Sequence, residues 1–406
     1  MSSNLSHVAI IGGGLALHGI RSTIYEYRSE DDSGGVNITL APNAARVLQH
    51  IGVLDELRTL GHTYELMTIS AARNGQALGA FFNGSEKHYN YASLRIHRHT
   101  VQHVLLRESK AQGIEIFFNK KLVAVENETD MGVRIRFEDG QVAEAEYVIA
   151  ADGIHSLARS YIVQPELRYS GAMGIAITGV IKDSLHVSVK GKSLPTFCFG
   201  QTGMIAVSPS NPHGDEVDIF STMPFPERSR EEWKALAADG DAKQKIMVER
   251  FGSGWPLYIS QVWQDEPSAR FELYPFYEAP PLDRWSSDKG RVIIIGDAAH
   301  AFSPQGGQGA AMSFEDAETL SHTMARTGFS ENRSRLLQSW EKHRQQRVQM
   351  VKDFTDASGR LRAPTSGFWK QYVKEWVMWI LISVRGPKMG MEWLYNYNPE
   401  DIAKAY

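Results

Sequence analysis

Residues 290–320 read GRVIIIGDAAHAFSPQGGQGAAMSFEDAETL, and the fold is decided by how this stretch is read. The β-branched run Val292 to Ile295 predicts a fully buried strand, which Gly296-Asp297 ends. Pro304, Gly306, Gly307 and Gly309 then form a loop, and the Ala-rich pattern from Ala310 to Leu320 predicts a helix. Glycines let a ligand approach the backbone, and a helix N-terminus presents unpaired N–H groups and partial positive charge. Asp297 stands just past the strand, where a carboxylate can accept from a sugar hydroxyl. The segment therefore reads as a cradle for an electron-rich group. An ordinary strand-to-helix connection, with Asp297 as a turn residue or cap, is the bland alternative.

A second glycine turn lies at the start of the chain. His7 to Ile11 predicts a buried strand, Gly12-Gly13-Gly14 follows, and a second strand from Ser22 to Tyr25 ends at Glu26. In a dinucleotide-binding unit, glycines such as Gly12 and Gly14 turn under the pyrophosphate, and an acid such as Glu26 takes the adenosine ribose. The spacing is short for that role. Leu17 occupies the place of the third glycine, and Glu26 follows Gly12 by fourteen positions, where the fingerprint expects about twenty. A parallel crossover with its helix needs at least about ten to twelve residues, so a full first helix does not fit. The pyrophosphate would lose a helix dipole and part of its N–H cradle.

Composition narrows the function classes. The chain has 406 residues, 42% hydrophobic and 22% charged, with a formal net charge of −4 and no basic tail. That balance fits a soluble protein with more than one domain and argues against a nucleic-acid partner. Cys198 is the single cysteine, which excludes an intrachain disulfide and a cysteine metal cluster and fits a reducing, cytoplasmic setting. No metal-ligand spacing and no GxSxG appear. The longest apolar run near the C-terminus, Val377 to Val384, is about half of a spanning helix. It reads as a packed helix, with contact to a membrane surface the minor alternative.

Two further stretches complete the pattern. YVIAADGIHSLAR, residues 147–159, predicts a buried strand ending in Asp152-Gly153, and LRIHR, residues 94–98, leads through Arg98 into an amphipathic helix. The order DG, then GD, then AAHAFSPxxGQGxxxxxEDA resembles the FAD-dependent aromatic hydroxylases, the group A flavoprotein monooxygenases that include salicylate hydroxylase-like enzymes. The resemblance covers nearly the whole chain. It implies an α/β fold: a Rossmann-like FAD-binding domain with its first βαβ helix largely missing, an inserted antiparallel-sheet substrate domain and a C-terminal helical segment. On that pattern residues 1–165 and 282–330 form the FAD-binding domain, 166–281 the substrate domain and 331–406 the helical region.

The resemblance also assigns roles. Asp297 would hold the ribityl chain, with Gly296, Pro304, Gly306, Gly307, Gly309 and Ala310 beside the isoalloxazine ring. Gly35 and Arg98 would lie on the flavin side, Asp152 and Gly153 would touch FAD and the nicotinamide, and Gly12, Gly14 and Glu26 would take the adenosine diphosphate end. NADPH or NADH would act as a transient co-substrate. O2 would add at the flavin C4a, and the hydroperoxide would hydroxylate or epoxidise an aromatic or apolar small molecule in catabolism or secondary metabolism. No catalytic side chain is assigned: His300 reads equally as a base or as a structural residue. The short first turn keeps two other readings open, a fold that has given up flavin for another ligand and an inactive deletion variant.

Between 169 and 281 the sequence alternates and is rich in aromatics, predicting an antiparallel sheet with helices at 230–238 and 242–251. The charged helical pattern from Glu331 to Phe354 predicts a solvated face.

Overall fold

Runs such as VAII and VII pack well only when both sides of a strand are covered, which is the situation in a parallel sheet. In the computed structural model, which describes residues 7–11, 20–32, 34–164, 166–181 and 194–400, five such strands lie side by side. Their order is Glu115–Phe117, Ser22–Tyr25, Val8–Ile11, Tyr147–Ala150 and Val292–Ile294, all parallel. Ile11 pairs with both Tyr25 and Ala150, and Ala150 pairs with Ile294, so the strands end along one edge. Glu26, Asp152 and Asp297 follow those ends and share that edge, the place where open α/β sheets bind ligands. Ten residues, 12 to 21, separate the first two strands. Gly12 and Gly14 lie outside the described residues.

The second large sheet has seven strands, in the order Phe271–Glu278, Arg168–Ile181, Glu216–Pro224, Gly203–Pro209, Thr196–Gly200, Leu66–Ala71 and Ala77–Phe82. Every pair is antiparallel except Thr196–Gly200 with Leu66–Ala71. The expected segment 166–281 is thus incomplete as a sheet. The hairpin turning at Asn74-Gly75 joins from outside it and covers the otherwise open edge of Thr196–Gly200. Helices Arg230–Ala238, Gly240–Phe251 and Leu257–Asp265 follow on from this sheet, and Met173, Ile175, Ile219, Phe251 and Trp263 share one buried core with them.

Strand alternation sorts the aromatics that sequence alone leaves undivided. Phe271 joins the core with the helices, whereas Phe197, Phe199 and Phe220 cluster on the other face with Met204 and Met378. A three-stranded sheet, Asn37–Leu40, Ser93–His97 and His62–Tyr64, leads into the Arg98–Ala111 helix. Arg95 on its middle strand reaches Asp218 of the seven-stranded sheet at 2.8 Å and ties the two sheets together.

The C-terminal region corrects one expectation and refines another. The long helix Phe329–Arg362 buries Arg344 and Arg347 as well as Trp340 and Val351, so its charges do not all face solvent. In the helix Phe368–Arg385 only Met378 and Ile382 of the Val377 to Val384 run turn inward; the other six residues are exposed. The run is packed, as expected, but along one side only. Among the described residues no helix is long and apolar enough to cross a membrane.

Candidate cofactor site

The strand Val292–Ile294 ends at Gly296, whose φ of 60° and ψ of −141° suit glycine alone. One turn of helix, Asp297–His300, follows, then a 3-10 turn at Pro304–Gly306, then the helix Gly309–Met324. Asp297 is exposed, whereas Ala298, Ala299 and His300 are buried beneath it. The Gly309–Met324 helix has no capping side chain and no acid in its first turn. Its unpaired N–H groups and dipole are therefore open to an electron-rich group.

The glycines of this loop divide by purpose. A Cβ at Gly307 or Gly309 would meet nothing within 4 Å, so these two leave room above the helix N-terminus. A Cβ at Gly306 would sit 2.2 Å from Thr355 Oγ1 of the long helix. Gly306 is required by packing, whatever else approaches it.

Below the loop lies a buried ionic network that sequence reading did not find. Glu315, Asp316 and Arg344 expose none of their surface. Arg344 donates from Nε to Asp316 Oδ1 at 2.7 Å and from Nη1 to Glu315 Oε2 at 2.8 Å. Arg347 forks onto both Glu315 oxygens at 3.0 and 3.1 Å, and Asn43 donates to Glu315 Oε1 at 2.8 Å. Asp316 Oδ2 accepts the Gly296 N–H at 2.9 Å and lies 2.5 Å from His300 Nε2. Burial pushes both carboxyls up, but Arg347 and Arg344 outweigh it at Glu315, and His300 and Arg344 at Asp316. Both are held below the ordinary carboxylate range. Two carboxylates and two guanidiniums thus lock the turn that presents Asp297, and His300 is part of that lock.

The Asp152-Gly153 turn is joined to the same place. Asp152 Oδ2 accepts the N–H groups of Leu157 at 2.9 Å and Ala158 at 3.4 Å, holding the start of the Leu157–Ile162 helix. Its buried Oδ1 has no partner among the described residues. Arg159, 3% exposed, donates to the carbonyls of Asp297 at 3.3 Å, Ala298 at 3.1 Å and Ile154. Burial draws its guanidinium down, against the fields of Asp152 and Asp297, so both acids lie within its reach.

On the first-turn side, Glu26 is buried at the end of Ser22–Tyr25 and accepts the Arg28 N–H at 2.9 Å. Gly35, at φ 120°, lies against Arg98, since a Cβ there would be 3.5 Å from Arg98 Cβ. Arg98 is exposed at the head of its helix, and its N–H donates to the Val36 carbonyl at 3.2 Å. The fold therefore gathers Glu26, Asp152, Gly153, Asp297 and the 304–310 loop by strand ends and hydrogen bonds, and pairs Gly35 with Arg98. The seven-stranded sheet reaches the loop where the Ala279 N–H donates to the Ala301 carbonyl at 2.8 Å.

Comparison with known proteins places this architecture. The family model described as an FAD binding domain matches residues 6–262 and 277–355. The 6-hydroxynicotinate 3-monooxygenase of Bordetella bronchiseptica is 28% identical over 358 residues, covering 85% of this chain and 90% of that protein. The 3-amino-4-hydroxybenzoate 2-monooxygenase of Streptomyces platensis is 28% identical, covering 79% and 80%. Klebsiella pneumoniae HpxO complexed with FAD and uric acid superposes with a TM-score of 0.76 at 21% identity, covering 98% of this chain and 96% of that one.

Proposed function

This chain belongs to the FAD binding domain family, and on that premise we propose that it is an FAD-dependent monooxygenase that hydroxylates an electron-rich aromatic small molecule. The observation that carries the reading is the uncapped N-terminus of Gly309–Met324, with open space at Gly307 and Gly309 and the exposed Asp297 beside it. These residues fit FAD: an acceptor for a ribityl hydroxyl, a positive helix end for a ring carbonyl, and an unpartnered buried oxygen on Asp152. When bound, FAD supplies the redox chemistry that takes a hydride from NADPH or NADH and uses O2. The balance is substrate C–H, O2, NAD(P)H and a proton giving substrate C–OH, water and NAD(P)+.

The chain's own residues bind and orient. Asp297 would hold the sugar chain, Gly307, Gly309 and Ala310 would admit the ring, and Arg98 beside Gly35 would offset negative charge on it. Glu26 takes the adenosine ribose. The sheet face bearing Phe220, beyond the part covered by Met378, would meet the substrate and exclude water, as the hydroxylated aromatic substrates in the relatives' names suggest. On this reading residues 166–281, with the hairpin 66–82, form the substrate domain, and the rest of 1–165 with 282–330 the cofactor domain.

The test follows NADPH and NADH consumption across hydroxylated benzoates, nicotinates and larger phenols, with isotope-labelled O2. The expected result is substrate-dependent oxidation with one labelled oxygen in the product. Consumption that yields only hydrogen peroxide for every compound would overturn the aromatic assignment.

A further inference from the structure

Helix Phe368–Arg385 has a mixed face turned inward and an apolar face turned outward, and only the first has a partner among the described residues. Gln371, Glu375, Met378 and Ile382, spaced four, three and four apart, form the inward stripe. Gln371 donates to the Phe199 carbonyl at 3.3 Å, and Glu375 takes Arg73 Nε at 2.7 Å. A Cβ at Gly79 would lie 2.7 Å from Ile382. The opposite stripe, Trp369, Val373, Trp376, Ile380 and Val384, follows the same helical spacing and is open to solvent, with Trp369 75% and Val384 79% exposed. A surface helix ordinarily turns charge outward, and one apolar all round is ordinarily buried. An outward face with three tryptophans, at 369, 376 and 379, calls for an apolar occupant.

Charge identifies that occupant. Between Gly359 and Met391 the only acid is Glu375, which is 2% exposed and paired with Arg73. The exposed bases Lys370 and Arg385 stand in the first and last turns of the helix and Lys388 just past it, in a chain whose net charge is −4. A second copy meeting this face across a two-fold axis would set these bases against their own copies, with no exposed carboxylate between Gly359 and Met391 to answer them. A lipid surface answers both features. Tryptophans seat at the headgroup level, aliphatic side chains enter the acyl boundary, and flanking lysines and arginines reach anionic headgroups. We propose that Phe368–Arg385 is an in-plane membrane-binding helix that docks this protein on an anionic lipid surface without spanning it.

The test uses the full chain in vesicle sedimentation, with vesicles of phosphatidylcholine alone and of an equimolar mixture with phosphatidylserine. The expected result is on the order of tenfold or greater preference for the anionic vesicles, reduced by added salt. Binding should be lost in Trp369→Glu/Val377→Glu and weakened in Lys370→Glu/Arg385→Glu. Because these side chains are exposed, melting should be unchanged; Trp376→Ser/Ile380→Ser serves if the first pair fails to fold. Absence of sedimentation with anionic vesicles would overturn the proposal, as would sedimentation indifferent to all three variants. A dimer in light scattering that Trp369→Glu/Val377→Glu splits, with no vesicle binding, would overturn it in favour of a second copy.

Discussion

Glycine-bearing stretches follow two strands of the parallel sheet, Val8–Ile11 and Val292–Ile294, and their sequences leave unequal room for a cofactor cradle. The turn after Val292–Ile294 is held from below by Asp316, which takes the Gly296 N–H and is itself held by Arg344. The turn after Val8–Ile11 leaves ten residues to reach the next strand, too few for the usual crossover helix. The difference teaches where flavin affinity resides in this chain. The half that would carry the ribityl chain and ring is pre-organised at the cost of burying four charges, whereas the sequence of the half that would carry the pyrophosphate is short for a full cradle. Binding energy on this account is concentrated at Asp297 and the 304–310 loop.

That asymmetry can be broken at its strong end first. Arg344→Met leaves Glu315 and Asp316 buried with one guanidinium, Arg347, beside Asn43, His300 and the Gly296 N–H, and should cost about 3–5 kcal/mol in denaturant unfolding. A loss below about 1 kcal/mol would mean that the network does not hold the turn. Asp297→Ala should leave stability nearly unchanged, because the side chain is exposed, yet weaken FAD binding about ten- to a hundredfold by flavin fluorescence titration.

The weak end should respond less. Glu26→Gln keeps the shape and the contact with the Arg28 N–H, and should raise the FAD dissociation constant by only about three- to tenfold. An effect larger than that of Asp297→Ala would invert the comparison.

The smallest effect is a pH dependence. His343, 2.9 Å from Tyr397 Oη, is pulled from its ordinary value to about 4 by burial and then by the Arg344 charge. A histidine whose folded value is depressed contributes stability above its unfolded value that is lost as pH falls through the folded one. Melting temperature should therefore decline as pH falls from about 6.5 toward 4, and His343→Gln should flatten that slope. Below it the depressed Glu315 and Asp316 carboxyls continue the loss in both proteins.

Much of this was legible in the residues. The strand, glycine turn and helix at 290–320 carry their own signals, so their order and the exposure of Asp297 could be read locally. What was not legible depends on distant pairing. Arg344 and Arg347 lie in a charged helix whose composition suggests a solvated face. Yet Leu337, Trp340, Arg344, Arg347 and Val351 fall on one helical stripe, so the arginines sit where apolar residues sit. Their position on that stripe was the available sign of burial. The 66–82 hairpin gave no sign of its sheet, because an edge strand is chosen by whichever edge stands open. The outward exposure of most of the Val377 to Val384 run has no local sign either, because an apolar helix has no local mark that distinguishes a partner inside the chain from one outside it.

The claim that this fold retains flavin through its second turn despite the shortened first one is tested most directly by visible absorption after incubation with FAD and gel filtration. The account predicts a stoichiometric flavin band that Asp297→Ala removes. A colourless protein that still melts cooperatively would contradict it.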